Sequence, residues 1–219
     1  TTQEVVDTFR LSMNGKTVIA PLHIGFAYTQ PLAVTGNILD KKKGYLTLLS
    51  TATRRPVDII ELSCPGARDA MFTLDDSKIF TTCQQEPKGV SIVDVKTRKV
   101  LWSHRSQKII DGRAVAMNSQ HIFLYSHKNS LTAIKAADGT PAWKTSDAKL
   151  LAAIGEHHRA QTASLGYATS AYLKCNEDAL FFAGPQRTKL VAVSARDGKL
   201  LWSYKDGNMQ LILRDDGLY

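Results

Sequence analysis

Short apolar runs broken by polar turns recur along this chain. Val90–Val95, Leu131–Lys135 and Leu190–Ser194 each have strand-like composition, and each leads into a turn and a second short strand that ends in tryptophan. The three continuations read Val95-Lys96-Thr97-Arg98-Lys99-Val100-Leu101-Trp102, Ala136-Ala137-Asp138-Gly139-Thr140-Pro141-Ala142-Trp143 and Ala195-Arg196-Asp197-Gly198-Lys199-Leu200-Leu201-Trp202. A turn between β-prone runs predicts a β-hairpin. Asp138-Gly139 and Asp197-Gly198 supply the turn in two copies, because glycine reaches positive φ at little cost. The first copy has Thr97-Arg98 there, which predicts a looser turn or one of another type.

Upstream of each tryptophan lies a second hairpin signal: Asp75–Phe80, Asn118–Phe123 and Asn176–Phe181. Two hairpins in succession make a four-stranded antiparallel meander. A degenerate earlier copy has its first hairpin at Asn14–Ile19 and its second at Leu46–Asp58, with Asp58 in the tryptophan position. A further copy starts at Leu211 and runs through Arg214-Asp215-Asp216-Gly217-Leu218-Tyr219. The equivalent apolar residues Val18, Ile79, Ile122, Leu180 and Leu218 are spaced 61, 43, 58 and 38 residues apart. A base period near ~40 residues with four strands per unit is that of a β-propeller blade.

The predicted fold is therefore all-β, a propeller of four-stranded antiparallel blades. The blades fall at 9–63 (with an insertion at 21–44), 67–109, 110–149 and 168–210, with a partial blade at 211–219 and an inter-blade insertion at 149–167. An open ring leaves unpaired edges, so about four blades and the start of another imply a piece of a larger ring, with a second copy supplying the missing edge as the alternative. Only Ala148–Ala163 has helix-like periodicity, and Gly155 interrupts it.

The segments Ala133–Trp143 and Ala192–Trp202 resemble the tryptophan-docking repeat of quinoprotein-dehydrogenase-like propellers, a superfamily that includes the outer-membrane assembly propeller lipoproteins. The resemblance runs over about residues 67–219, and more weakly over 9–63. It implies that Trp102, Trp143 and Trp202 cement adjacent blades, which suits a large ring with one N–H to satisfy. Asp138, Gly139, Asp197 and Gly198 read as turn formers. It also implies a periplasmic or otherwise exported bacterial protein. Family enzymes pack pyrroloquinoline quinone against two adjacent cysteines and use Glu, Asn and Asp around a calcium ion. Cys64, Cys83 and Cys175 are not adjacent, and no acidic residue stands in a matching context. No catalytic, cofactor-binding or metal residue is therefore assigned here. Quinone and calcium enter only if the chain is a fragment of a dehydrogenase whose catalytic residues lie elsewhere.

Charge changes little. Lys and Arg number 28 against 20 Asp and Glu, a net charge of +8, but the cations are scattered, with no basic helix and no aromatic interleaving. Nucleic acid is thus not expected as a partner, and no apolar run reaches the length of a membrane span. A protein partner, or further blades of the same parent protein, fits better. Cys83 and Cys175 sit in predicted strands, where buried free thiols are usual. One disulfide plus one free thiol remains open.

The two insertions are expected on one face of the propeller, where binding residues gather on long loops. The first holds His23, Tyr28, Gln30, Asp40 and Lys41-Lys42-Lys43. The second holds Glu156, His157, His158, Arg159 and Gln161. Adjacent His157 and His158 diverge on either a strand or a helix and lack the i, i+4 spacing of a helical zinc site. General acid–base chemistry by histidine and anion binding by the three lysines are the sharper readings; solvated loop residues are the plainer ones. Grouped on one face, these residues suit a non-catalytic binding scaffold, with a carbohydrate or small-ligand propeller as the third alternative. The signatures GxSxG, HExxH, GxGxxG and the Walker loop are absent.

Overall fold

The structure, a computed structural model, describes residues 12–13, 16–17, 21–38, 43–63, 66–83, 89–105, 115–155, 173–183, 189–205, 213–214 and 217–218. The chain divides into two compact units, residues 1–107 and 108–219. Within each, the strands pair with their neighbours in chain order, all antiparallel.

The first unit opens with a small hairpin, β1 (Ser12–Met13) and β2 (Lys16–Thr17). One four-stranded sheet follows, from β3 (Pro21–Phe26), β4 (Leu32–Ile38), β5 (Gly44–Ser50) and β6 (Arg55–Leu62). Another contains β7 (Ala67–Phe72), β8 (Lys78–Cys83), β9 (Gly89–Asp94) and β10 (Val100–Arg105). The expected insertion at 21–44 is therefore corrected for its described residues: β3 and β4 are the first two strands of the blade. Gln30-Pro31 makes the turn between two apolar strands, and β4 pairs along its whole length with β5, from Leu32 against Ser50 to Ile38 against Gly44. The Asn14–Ile19 hairpin lies outside that sheet.

The second unit holds β11 (Val115–Met117), β12 (His121–Ser126), β13 (Ser130–Lys135) and β14 (Pro141–Thr145). Helix α1 (Ala148–Ile154) links them to β15 (Leu173–Cys175), β16 (Ala179–Phe182), β17 (Leu190–Ser194) and β18 (Leu200–Tyr204). A last hairpin joins β19 (Leu213–Arg214) to β20 (Gly217–Leu218). The helix stops at Gly155, which takes φ of 75°, and the Asp147 carboxylate caps its start by accepting from Lys149 N (2.8 Å) and Leu150 N (3.0 Å).

Middle strands are apolar and buried on both sides, as in Ile79-Phe80 of β8 and Ile122-Phe123-Leu124-Tyr125 of β12. The outer strands β10 and β14 alternate between half-buried and exposed positions, whereas β18 is exposed throughout. Val34, Leu46, Leu48 and Ile60 pack on Ala70, Phe72, Ile79 and Val93 in the first unit. In the second, Phe123, Tyr125 and Leu131 meet Leu180, Phe182 and Val191, with Leu150, Leu151 and Ile154 of α1 in the same core. The four outer strands share one irregularity. Each carries an extra residue (Val57, Leu101, Ala142 or Leu201) just before Asp58, Trp102, Trp143 or Trp202, which face Leu48, Ile92, Ala133 and Ala192.

Candidate functional site

Polar side chains concentrate where one blade meets the next. In the first unit Asp76, buried in the β7–β8 turn at φ 55°, reaches into the β3–β4 turn. Its carboxylate accepts from Tyr28 N (2.7 Å), Thr29 N (2.6 Å), Thr29 Oγ1 (2.7 Å) and Gln30 N (3.1 Å). Burial pushes the Asp76 carboxyl up, but those N–H and O–H donors together hold it below the usual carboxylate range. Glu177 does the same work in the second unit, from the β15–β16 turn. It accepts from Ser119 N (3.1 Å) and Ser119 Oγ (2.6 Å) of the β11–β12 turn.

The outer hairpins form further joints. Trp143 donates from its indole nitrogen to the Ala195 carbonyl at 2.9 Å, and its ring lies over Gly198. A Cβ at Gly198 would stand 2.6 Å from Trp143 Cζ3, and φ there is 73°. Asp138 and Asp197 fold back on their own turns, Asp138 accepting from Thr140 N and Oγ1 and Asp197 from Lys199 N. Trp202 is 44% exposed, with its ring 6.1 Å from that of Phe181.

The Thr97-Arg98 turn, expected to be looser or of another type, has the same backbone as the glycine turns. Arg98 takes φ of 62°, and Arg98 N donates to Asp94 O (2.9 Å) as Gly198 N does to Ser194 O (3.0 Å). Two contacts offset the cost of an L-residue at positive φ. The Arg98 guanidinium donates to the Val95 carbonyl, the counterpart of Ala195's, and its Nε lies 3.7 Å from Asp58 on β6. Asp58 thus faces Arg98 where Trp143 faces Gly198.

Of the residues expected on one face, the structure separates Tyr28 and Gln30 from Lys43. Tyr28 and Gln30 lie in the β3–β4 turn, while Lys43 precedes β5 at the other end of the same sheet and pairs with Glu61. Antiparallel pairing puts successive turns at alternate ends, and the missing insertion removes the premise. His23 lies within β3. Lys41, Lys42, Glu156, His157, His158, Arg159 and Gln161 lie outside the described residues. Cys83, whose disulfide state the sequence leaves open, is disulfide-bonded, whereas Cys175 is free and burial pushes its thiol up to about 12. Asp76 and Glu177 were missed because Asp75-Asp76 and Asn176-Glu177 look like ordinary polar turns; a carboxylate at the same point of two blades, with Ser119 at that point of the blade between them, was the available signal. Among the described residues, no three His, Cys, Asp or Glu side chains form a metal-sized group, and no helix is long and apolar enough to cross a membrane.

Four-stranded antiparallel sheets in series, joined through tryptophan, glycine and carboxylate contacts, define a β-propeller of PQQ-like repeats. Residues 42–214 match the family described as outer membrane protein assembly factor BamB, and the chain belongs to that family. Among solved structures it is similar to the β-propeller domain of Cps50 (Swd1) from Myceliophteria thermophila, with 13% identity and a TM-score of 0.62 over 90% of this chain. The chain spans 62% of that structure's length, and the likeness concerns the fold alone. Comparison with curated proteins gives no match.

Proposed function

We propose that this chain is a non-catalytic, protein-binding β-propeller scaffold of an exported bacterial protein. The observation that carries the proposal is the β3–β4 and β7–β8 turn pair. Tyr28 and Leu74 are 64% and 69% exposed, and Asp76 ties the two turns together by accepting from three backbone amides and one hydroxyl of the β3–β4 turn. An exposed aromatic on a rigid turn binds with little ordering cost, which favours a protein partner. The family's link to outer membrane protein assembly supports export, and so does a disulfide at Cys83, since such bonds persist in oxidising compartments.

A photo-crosslinking amino acid at position 28, compared with one at position 43 on the opposite end of the sheet, tests the surface in intact cells. A discrete protein adduct from position 28 and none from 43 is expected. Adducts from 43 alone, or from neither, would overturn the assignment. Dye reduction by alcohols or sugars after loading with pyrroloquinoline quinone and calcium would overturn the non-catalytic part.

A further inference from the structure

The two outer joints solve one problem in mutually exclusive ways. Trp143 needs a bare Cα at Gly198, because any Cβ there would enter its ring. Asp58 meets Arg98, whose side chain occupies the corresponding place and takes over the indole's bond to the turn carbonyl. A glycine in place of Arg98 would leave Asp58 without its cation, and a tryptophan in place of Asp58 would meet the Arg98 side chain.

The turn Thr51–Arg55 between β5 and β6 is of the arginine type. Arg54 has φ of 58°, beside 62° for Arg98, and stands four residues before Asp58 as Arg98 stands four before Trp102. The whole turn is exposed, and among the described residues no ion pair joins Arg54. The rest of the β3–β6 sheet already uses its other outer position, Asp58, on the neighbouring blade.

We infer that the Thr51–Arg55 turn is a docking site for the outer strand of a further β-blade that carries aspartate or glutamate where β6 carries Asp58. The partner is defined by charge and shape: an extended strand with a carboxylate that faces Arg54. A tryptophan-bearing edge is turned away, and that includes Trp202 of a second copy of this chain. This inference does not depend on the scaffold role.

Two measurements on the full chain test it. Asp58→Trp and Arg98→Gly should each lower the unfolding midpoint, and the double variant should recover most of the loss; additive losses would overturn the exclusion. The second uses labelled hairpin peptides of residues 44–63, with Asp58 intact or changed to Trp, as probes. The native chain should bind the Asp peptide about tenfold more tightly than the Trp peptide, and Arg54→Gly should reverse that order. Equal affinities, binding by neither peptide, or a preference that follows Arg98→Gly instead would overturn the site.

Discussion

The Oδ2 atom of Asp76 lies 2.6 Å from the backbone nitrogen of Thr29, and with the amides of Tyr28 and Gln30 this contact holds the neighbouring turn chiefly by the main chain. Mutation in the β3–β4 turn therefore cannot easily remove the contact, but mutation of Asp76 can. Asp76→Ala should lower the melting temperature and speed amide hydrogen exchange at Tyr28, Thr29 and Gln30. Unchanged exchange at those three amides would contradict the clamp.

The same carboxylate sets a pH dependence. Its folded-state pKa lies below the ordinary value, so its stabilisation is fully present above the unfolded pKa and fades as pH falls through the folded one. Asp75, held at about 2 chiefly by the Thr73 hydroxyl, acts in the same direction. Acid titration of the native chain should lose stability below the ordinary carboxylate range, and Asp76→Asn should flatten that loss.

Gly198→Ala combines an overpacked ring contact with an L-residue at positive φ. The expected cost is about 3 kcal/mol, read by denaturant unfolding. Trp143→Phe keeps most of the ring but removes the bond to Ala195, for about 1 kcal/mol. A much smaller loss from Gly198→Ala would mean that the ring is not seated as described.

Cys175 should react slowly with thiol reagents at mildly alkaline pH, since burial keeps it protonated to about 12. Denaturation should expose it, and reductant should then raise the thiol count by two. Cys83→Ser and reductant should destabilise the chain equally, with no further loss when combined.

Helix α1 is too short to persist without its ends. Asp147 caps its first turn, while the buried Tyr125 hydroxyl donates to the Gly155 carbonyl at 2.8 Å. Asp147→Ala and Tyr125→Phe should each cost about 1 kcal/mol. Loss of the helical circular-dichroism signal in the double variant checks this.

Where the repeat kept its punctuation, the sequence was readable: Asp138-Gly139 and Asp197-Gly198 marked the turns, and the Trp143 position followed. The first blade was harder. Asn14–Ile19 reads as its first hairpin, so the 61-residue spacing from Val18 to Ile79 looks like an insertion and hides the full-length pairing of β4 with β5. Arg98 concealed its turn for a different reason. Turn propensity is a local property, whereas the stabilisation of Arg98 at positive φ comes from Asp58, a residue 40 positions away. The clamp by Asp76 is likewise a relation across blades, which no window along the chain contains.

The extra residue before Asp58, Trp102, Trp143 and Trp202 also bears on solubility. A propeller exposes one strand edge per blade, and β18, with Leu200, Leu201, Trp202 and Tyr204 all exposed, is apolar enough to recruit another strand. A bulge at the same point of each outer strand breaks the regular spacing of hydrogen-bonding groups that an incoming strand would need. The irregularity that sits beside Trp143 thus also makes each outer strand a poorer template for an added strand.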